Sequence, residues 1–359
     1  MKPCFKLIAI HTVLSSDNGR EYNSVLSTIE ISLMKLNGSR VTRTLGTRYP
    51  LIQAPMSWIT DAKLVAAVSE AGGLGVFGPG AGHDEPALDS RDDGERLREQ
   101  IREARKLTRK PIGVNILLMG TGDDPLGEFS AAWLKVAFEE GIRHFVTVGQ
   151  ANADVFNKII KHDGIIIHRP LTPTVENMCE AEALGADILV ATGYDEGGYI
   201  PEQAWGTFTV VPVMADAVSV PVLAAGGIND SRGVMAAFAL GAEGVFIGTR
   251  FIATQESPAA QVTKDAIVSS GYKNIVFASA LQRSIRTRTA DRLAEMLKDP
   301  TVDINLDAEI SRLGGCRPAM LQGKIDEGII SVNTGIDVIR DIPSVSDLIE
   351  ELMEPVELI

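Results

Sequence analysis

From Tyr49 to Arg250 the chain alternates short apolar runs, rich in β-branched residues, with stretches of helical period. Eight such runs can be read: Tyr49–Pro55, Leu74–Gly80, Ile112–Leu118, His144–Gly149, Gly164–Pro170, Asp187–Gly193, Pro221–Gly227 and Gly244–Arg250. Runs that are apolar on both faces and separated by helices imply a parallel sheet covered by helices. A doubly wound open sheet more often has about five to seven strands and a GxGxxG after the first, and no such motif stands near the first run here. The expected fold is therefore an α/β (β/α)8 TIM barrel.

The intervening segments carry helix signals. Thr60 is expected to cap the helix that follows the first strand, whose apolar face is Leu64, Val65, Val68 and Ala71 and whose stop is Gly72-Gly73. The segment 94–109 is amphipathic, with Leu97, Ile101, Ala104 and Leu107 on one stripe. After Arg250 the rhythm changes. Residues 257–328 read as a small helical lid domain inserted after strand 8, which sits over the barrel mouth or serves only oligomer contacts. The amphipathic segment SVSDLIEELM after Pro343 is expected to return to the barrel wall. The organisation is thus 1–40 as an N-terminal extension, 41–256 as the barrel, 257–328 as the lid and 329–359 as a C-terminal segment and helix. Residues up to Gly38 read as dispensable, with Met34 as an alternative start.

A chain of 359 residues, 45% hydrophobic and 23% charged, is large enough for a barrel with an appended piece. Its net charge of -13 and the lack of any Lys/Arg block argue against nucleic acid and anionic lipid as partners. No apolar run approaches a membrane span, and the N-terminus has neither an adequate apolar region nor a cleavage site for a signal peptide. Cys4, Cys179 and Cys316 are odd in number and far apart, which fits a cytoplasmic protein without a disulfide framework or structural zinc.

In a barrel, chemistry collects at the carboxyl ends of the strands. Gly226-Gly227 and Gly248-Thr249 stand there on the last two strands, one helix apart, and paired glycine loops of this kind grip a phosphate. The alternative is that they only turn corners. The remaining strand ends bring Ala54-Pro55-Met56, Gly78, Asn115, Gly149-Gln150, His168-Arg169 and Thr192-Gly193. Few carboxylates and no cluster of histidines are among them, so no metal ligand is assigned and metal catalysis is not expected. A phosphate grip with backbone donors and one cation suits a cofactor that brings its own chemistry, and flavin mononucleotide (FMN) is the natural candidate. The longest strand-end loop, Gly193–Gly206, is expected to be functional, with Gly197-Gly198 passing close to a planar ring. Glu196 reads as a solvated loop charge, and Tyr199 as a surface aromatic or a substrate contact.

Six motifs in order, IQAPM at Ile52–Met56, GVN at Gly113–Asn115, HRPLTPTVENMCEAEALGAD at His168–Asp187, ATGYDEGGY at Ala191–Tyr199, AAGGI at Ala224–Ile228 and GTRF at Gly248–Phe251, resemble the nitronate monooxygenase family, formerly 2-nitropropane dioxygenases. The set is also similar to the flavin-dependent enoyl-acyl-carrier-protein reductase II. The resemblance runs from about Val41 through GKIDEGIIS and the DIPSVSDLI tail. It implies an FMN-binding barrel with a lid that oxidises alkyl nitronates with dioxygen to a carbonyl compound and nitrite. Flavin contacts carried over by it are Ala54, Pro55, Met56, Asn115, Thr192, Gly197, Gly198, Gly226, Gly227, Gly248 and Thr249, with Arg169 where relatives usually have lysine. Ser331 matches a family serine facing the flavin. A homodimer remains an open expectation.

Where the family typically reads EAGGH, with the histidine as catalytic base, this chain reads DEGGY and has Tyr199. A phenol with a pKa of ~10 donates rather than accepts near neutrality. Proton abstraction from a neutral nitroalkane is then handicapped, whereas a preformed nitronate needs no base and Tyr199 serves as a donor to its nitro oxygens. Two readings compete with nitronate oxidation: an NAD(P)H-dependent flavin reductase acting on an enoyl thioester or a quinone, and a flavin-free phosphate-binding barrel lyase or isomerase.

Overall fold

The computed structural model describes residues 39–118, 120 and 124–357. Cys4, the expected extension through Gly38 and the alternative start at Met34 lie outside them. Eight parallel strands form one sheet: β1 (Leu51–Gln53), β2 (Gly75–Phe77), β3 (Ile112–Leu118), β4 (His144–Gly149), β5 (Ile165–Arg169), β6 (Ile188–Thr192), β7 (Val222–Ala225) and β8 (Gly244–Ile247). Their order runs β1-β8-β7-β6-β5-β4-β3-β2. The remaining seam, between β1 and β2, is joined by a parallel bridge from Ile52 to Leu74. Gln53 extends that seam with its side chain: Nε2 donates to Val76 O (3.3 Å), and Oε1 accepts from Val76 N (3.1 Å). A buried amide thus imitates a peptide group where the short strands run out of ladder. The expected TIM barrel is borne out.

Strand side chains divide by phase. One set, including Ile52, Leu74, Val76, Val146, Ile167, Val190 and Leu223, fills the barrel interior. Its floor is the helix Arg40–Leu45, which inserts Val41 and Leu45 into the same apolar group. His144 Nε2 meets Leu45 O at 2.9 Å and fastens the plug. The other phase packs outward against the helices.

The helix after β1 is Ala62–Glu70, and its cap is Asp61, not Thr60: the Asp61 carboxylate accepts Leu64 N at 2.9 Å. The Thr60 hydroxyl is engaged elsewhere, donating to Met56 O and accepting from Gly78 N, so it braces two strand-end loops. In the helix Ser90–Leu107 the expected stripe holds for Leu97, Ile101 and Ala104, while Leu107 is 58% exposed. Ten residues beyond Leu97 it lies about 80° round the helix, past the packing face.

After β8 only a short helix, Thr249–Ile252, follows before the chain leaves the wall. The place of an eighth wall helix is taken by Val345–Glu357, which packs against Ala62–Glu70 and Ser231–Ala239 and buries Val345, Leu348, Ile349, Leu352, Met353 and Val356. The segment between is not wholly helical as expected. It also carries an antiparallel hairpin, β9 (Ile275–Phe277) with β10 (Arg283–Ile285). No helix among the described residues is long and apolar enough to cross a membrane.

Candidate active site at the strand carboxyl ends

Alternation along each strand decides which side chains reach the mouth. On β5 Ile167 faces the interior, so Arg169, two residues on, emerges at the carboxyl end. On β6 the same phase passes through Ile188 and Val190 to Thr192. Arg169 Nε donates to Thr192 Oγ1 at 3.1 Å, and its Nη2 donates to the Tyr199 carbonyl at 3.3 Å and pairs with the Glu196 carboxylate. Thr192, expected to touch the flavin, is instead 1% exposed beneath the guanidinium and does not line the cavity. His168 has the opposite phase. It packs edge-on against Phe156 of the wall helix Ala153–Lys161 and shares a 3.0 Å hydrogen bond between Nδ1 and Thr147 Oγ1. Burial, then the nearby Arg169 charge, depress its pKa to about 4. It is a neutral packing residue outside the site.

Glu196 is not a solvated charge. Its side chain is 15% exposed, it lines the cavity, and only its Oε1 meets Arg169. Burial pushes its carboxyl up to about 7, against the opposing charge and hydrogen bond of Arg169 and the charge of Arg283. Arg283, on β10, is 1% exposed, donates to Tyr194 O at 2.6 Å and lies 4.9 Å from the Tyr194 ring centroid. The loop is thus gripped by the β9–β10 hairpin. Tyr199 stands at the rim, 38% exposed, bridged to Gln282 of the hairpin. Partial burial, and then Asp307, raise its phenol pKa further.

The long loop is also held from behind. Asp195 Oδ2 accepts Thr207 N at 2.7 Å, and Thr334 N donates to Asp195 O at 3.0 Å. Gly197 is required here for packing between chain segments: a Cβ at that position would lie 2.3 Å from Val332 C and 2.5 Å from Asn333 N. At Gly198 a Cβ would meet only Glu196 Oε2, at 3.9 Å. Gly197 thus has a packing role against the C-terminal segment in addition to its place on the cavity wall. Asn333 N donates to Thr249 Oγ1 (3.0 Å), and the Asn333 and Asn229 side-chain amides exchange hydrogen bonds of 2.7 and 2.9 Å. One short segment, 331–335, ties together the loops after β6, β7 and β8.

Those last two loops form the glycine cradle. Gly226 and Gly227 have φ of +101° and +73°, conformations that L side chains rarely adopt. Gly248 precedes the helix Thr249–Ile252, whose first hydrogen bond is Phe251 N to Gly248 O at 2.9 Å, so the Thr249 and Arg250 amides come before any helical partner. A Cβ on Gly248 would lie 3.6 Å from both Ala54 Cβ and Met56 Sδ, on the cavity wall. Asn115 anchors the opposite wall, with Nδ2 donating to Val146 O at 2.9 Å.

Together these elements enclose a cavity of about 550 Å³, within the range of about 300–1,000 Å³ usual for small-molecule sites. Of the expected contacts, Ala54, Pro55, Met56, Asn115, Arg169, Gly197, Gly198, Gly226, Gly227, Gly248 and Thr249 line it, as do Tyr199 and Ser331. Sequence reasoning missed Arg283, Asn229, Asn333 and the true place of Glu196. Only Glu196 carried a signal, its position beside the glycine pair of the longest loop.

A nitronate monooxygenase family model matches residues 38–355. A probable nitronate monooxygenase of Staphylococcus aureus (strain JH9) is 33% identical over 299 residues, covering 72% of this chain and 81% of that protein. Among solved structures, FabK from Thermotoga maritima aligns with a TM-score of 0.76 and 32% identity over 89% of this chain and 96% of its own. Nitroalkane oxidase from Streptomyces ansochromogenes aligns with a TM-score of 0.72 over 89% and 98%, at 22% identity, a likeness of fold.

Proposed function

The chain belongs to the nitronate monooxygenase family of oxidoreductases, and on that footing we propose that it binds FMN and oxidises alkyl nitronates with dioxygen to a carbonyl compound and nitrite. The observation that carries this reading is one cavity with a glycine cradle on β7 and β8 and an electron-poor rim of Arg169 and Tyr199. The cradle fits an FMN phosphate. Gly226, Gly227, Gly248 and Thr249 would hold it by close backbone approach, and side chains there would take the space. Ala54, Pro55, Met56 and Asn115 would flank the ring.

FMN, when bound, supplies the two-electron acceptor and the partner for dioxygen. The chain's own residues bind and orient the anion. Arg169 offers a fixed positive charge, and the Tyr199 phenol, protonated throughout the neutral range, donates to a nitro oxygen. Ser331 supplies a further hydroxyl on the wall. Two nitronates and one dioxygen balance two carbonyl compounds and two nitrites.

The test is nitrite release. Protein reconstituted with FMN and given a preformed primary alkyl nitronate in air is expected to form nitrite and aldehyde in equal amounts, and the absence of nitrite refutes the reading. A second reading, an NAD(P)H-dependent reductase of the enoyl-acyl-carrier-protein reductase II kind, is favoured by one observation: among the described residues no imidazole lines the cavity. It predicts consumption of NADH or NADPH with an enoyl thioester and no nitrite from nitronates.

A further inference from the structure

Among the described residues, five titratable side chains line the cavity: Arg169, Glu196, Tyr199, Cys316 and Arg317. The two guanidiniums are permanent cations. Tyr199 is shifted above its ordinary value, and burial pushes the Cys316 thiol up to about 11. Glu196 is the one acid of the five whose conjugate base is populated near neutrality. It stands where the EAGGH motif of the family has alanine, and the histidine of that motif is absent.

We infer that Glu196 is a catalytic base, taking the α-proton of a neutral nitroalkane on its Oε2 so that the nitronate forms inside the cavity. This inference rests on the nitronate reading above and extends its substrates to neutral nitroalkanes, lifting the handicap that the sequence alone implies.

The geometry suits the step. Oε1 is fixed by Arg169, whose Nε is held in turn by Thr192, so the carboxylate is oriented through a buried chain of contacts. Oε2 has no hydrogen-bond partner among the described residues and lies 3.9 Å from where a Cβ on Gly198 would sit, with both residues on the cavity wall. In the transfer the C–H bond breaks, the proton goes to Oε2, and the electron pair delocalises onto the nitro group. Negative charge moves from Glu196 to the nitronate beside the same guanidinium, so the site keeps its net charge while the proton moves. The proton leaves to solvent before the next turnover.

The charged and titratable groups facing Glu196 are Arg169 from β5, Arg283 from β10, and Asp195 and Tyr199 from its own loop. The base works ionised. With the carboxyl titrating at about 7, wild-type turnover of a neutral nitroalkane rises with pH through that value. Turnover of a preformed nitronate falls over the same window, because the ionised carboxylate repels an anion and occupies Arg169.

The test separates proton abstraction from oxidation. α-Deuterated nitroethane is mixed anaerobically with the FMN-loaded protein, and loss of deuterium is followed by NMR. Wild type and the exposed-loop control Glu202→Gln are expected to exchange at the same enzyme-catalysed rate. In Glu196→Gln, which retains an acceptor for Arg169, exchange is expected to fall by about 100-fold or more and to lose its pH dependence. Glu196→Asp is expected to retain part of it, and melting curves and flavin spectra report whether each variant is folded and loaded. Exchange that is undiminished in folded Glu196→Gln, or absent in wild type, overturns the inference. Nitrite from preformed nitronate, measured on the same wild-type sample, reports separately on the underlying reading.

Discussion

At the scale of single residues, Arg169 and His168 are chain neighbours with opposite fates, because strand phase sends one to the mouth and the other into the wall. His144 and His168 are both buried neutral, each with its pKa depressed to about 4 from an ordinary 6.5, burial being the main cause. The unfolded chain therefore binds more protons than the folded one between those values, and stability falls as pH drops through the window. Each imidazole is expected to cost about 1.4 kcal/mol per pH unit there. Denaturant titrations at pH 7 and pH 5 check this, with a shallower loss in His168→Asn. Gly248 gives a second residue-scale prediction. Gly248→Leu projects into the cavity beside Ala54 and Met56, so FMN affinity should fall by about tenfold or more while the melting temperature of the FMN-free protein changes little. Flavin fluorescence quenching and thermal melts measure the two. The glycines of the cradle were legible from the sequence because strand-end glycine has a local cause. Glu196 was not, because its burial is created by Arg169 and by Arg283, about ninety residues away in the chain.

At the scale of elements, the loop after β6 is shaped by two segments remote in sequence. The β9–β10 hairpin grips it through Arg283 and Gln282, and residues 331–335 lace it to the loops after β7 and β8. Gly197→Ala drives a Cβ into the backbone of Val332 and Asn333, so it should destabilise the protein by about 1–3 kcal/mol and raise the KM for nitronate by loosening Tyr199. Chemical denaturation and steady-state kinetics report both. Strand positions were readable because each run is buried on both faces and keeps its own periodicity. The hairpin escaped because β9 is three residues long and only partly buried, too short to show a period. The cap at Asp61 was displaced by one residue because Thr60 is recruited by Met56 and Gly78, a tertiary demand that local capping signals do not contain.

At the scale of the whole molecule, a barrel floored by Arg40–Leu45 and walled in its last position by Val345–Glu357 shares its mouth with the segment after β8, which brings Gln282, Ile310, Cys316 and Met320 to the cavity wall. The interior is apolar up to the level of Arg169, where one buried ion pair, one phenol and a glycine cradle are concentrated. Such a vessel is suited to a tightly held planar cofactor and a small anion. The most direct measurement is the absorbance of the FMN-reconstituted protein under anaerobic conditions, mixed separately with an alkyl nitronate, NADH and NADPH. Prompt bleaching of the flavin band by the nitronate, with the spectrum unchanged by either nicotinamide, is the predicted result. Bleaching by NADH or NADPH and none by the nitronate would contradict nitronate oxidation.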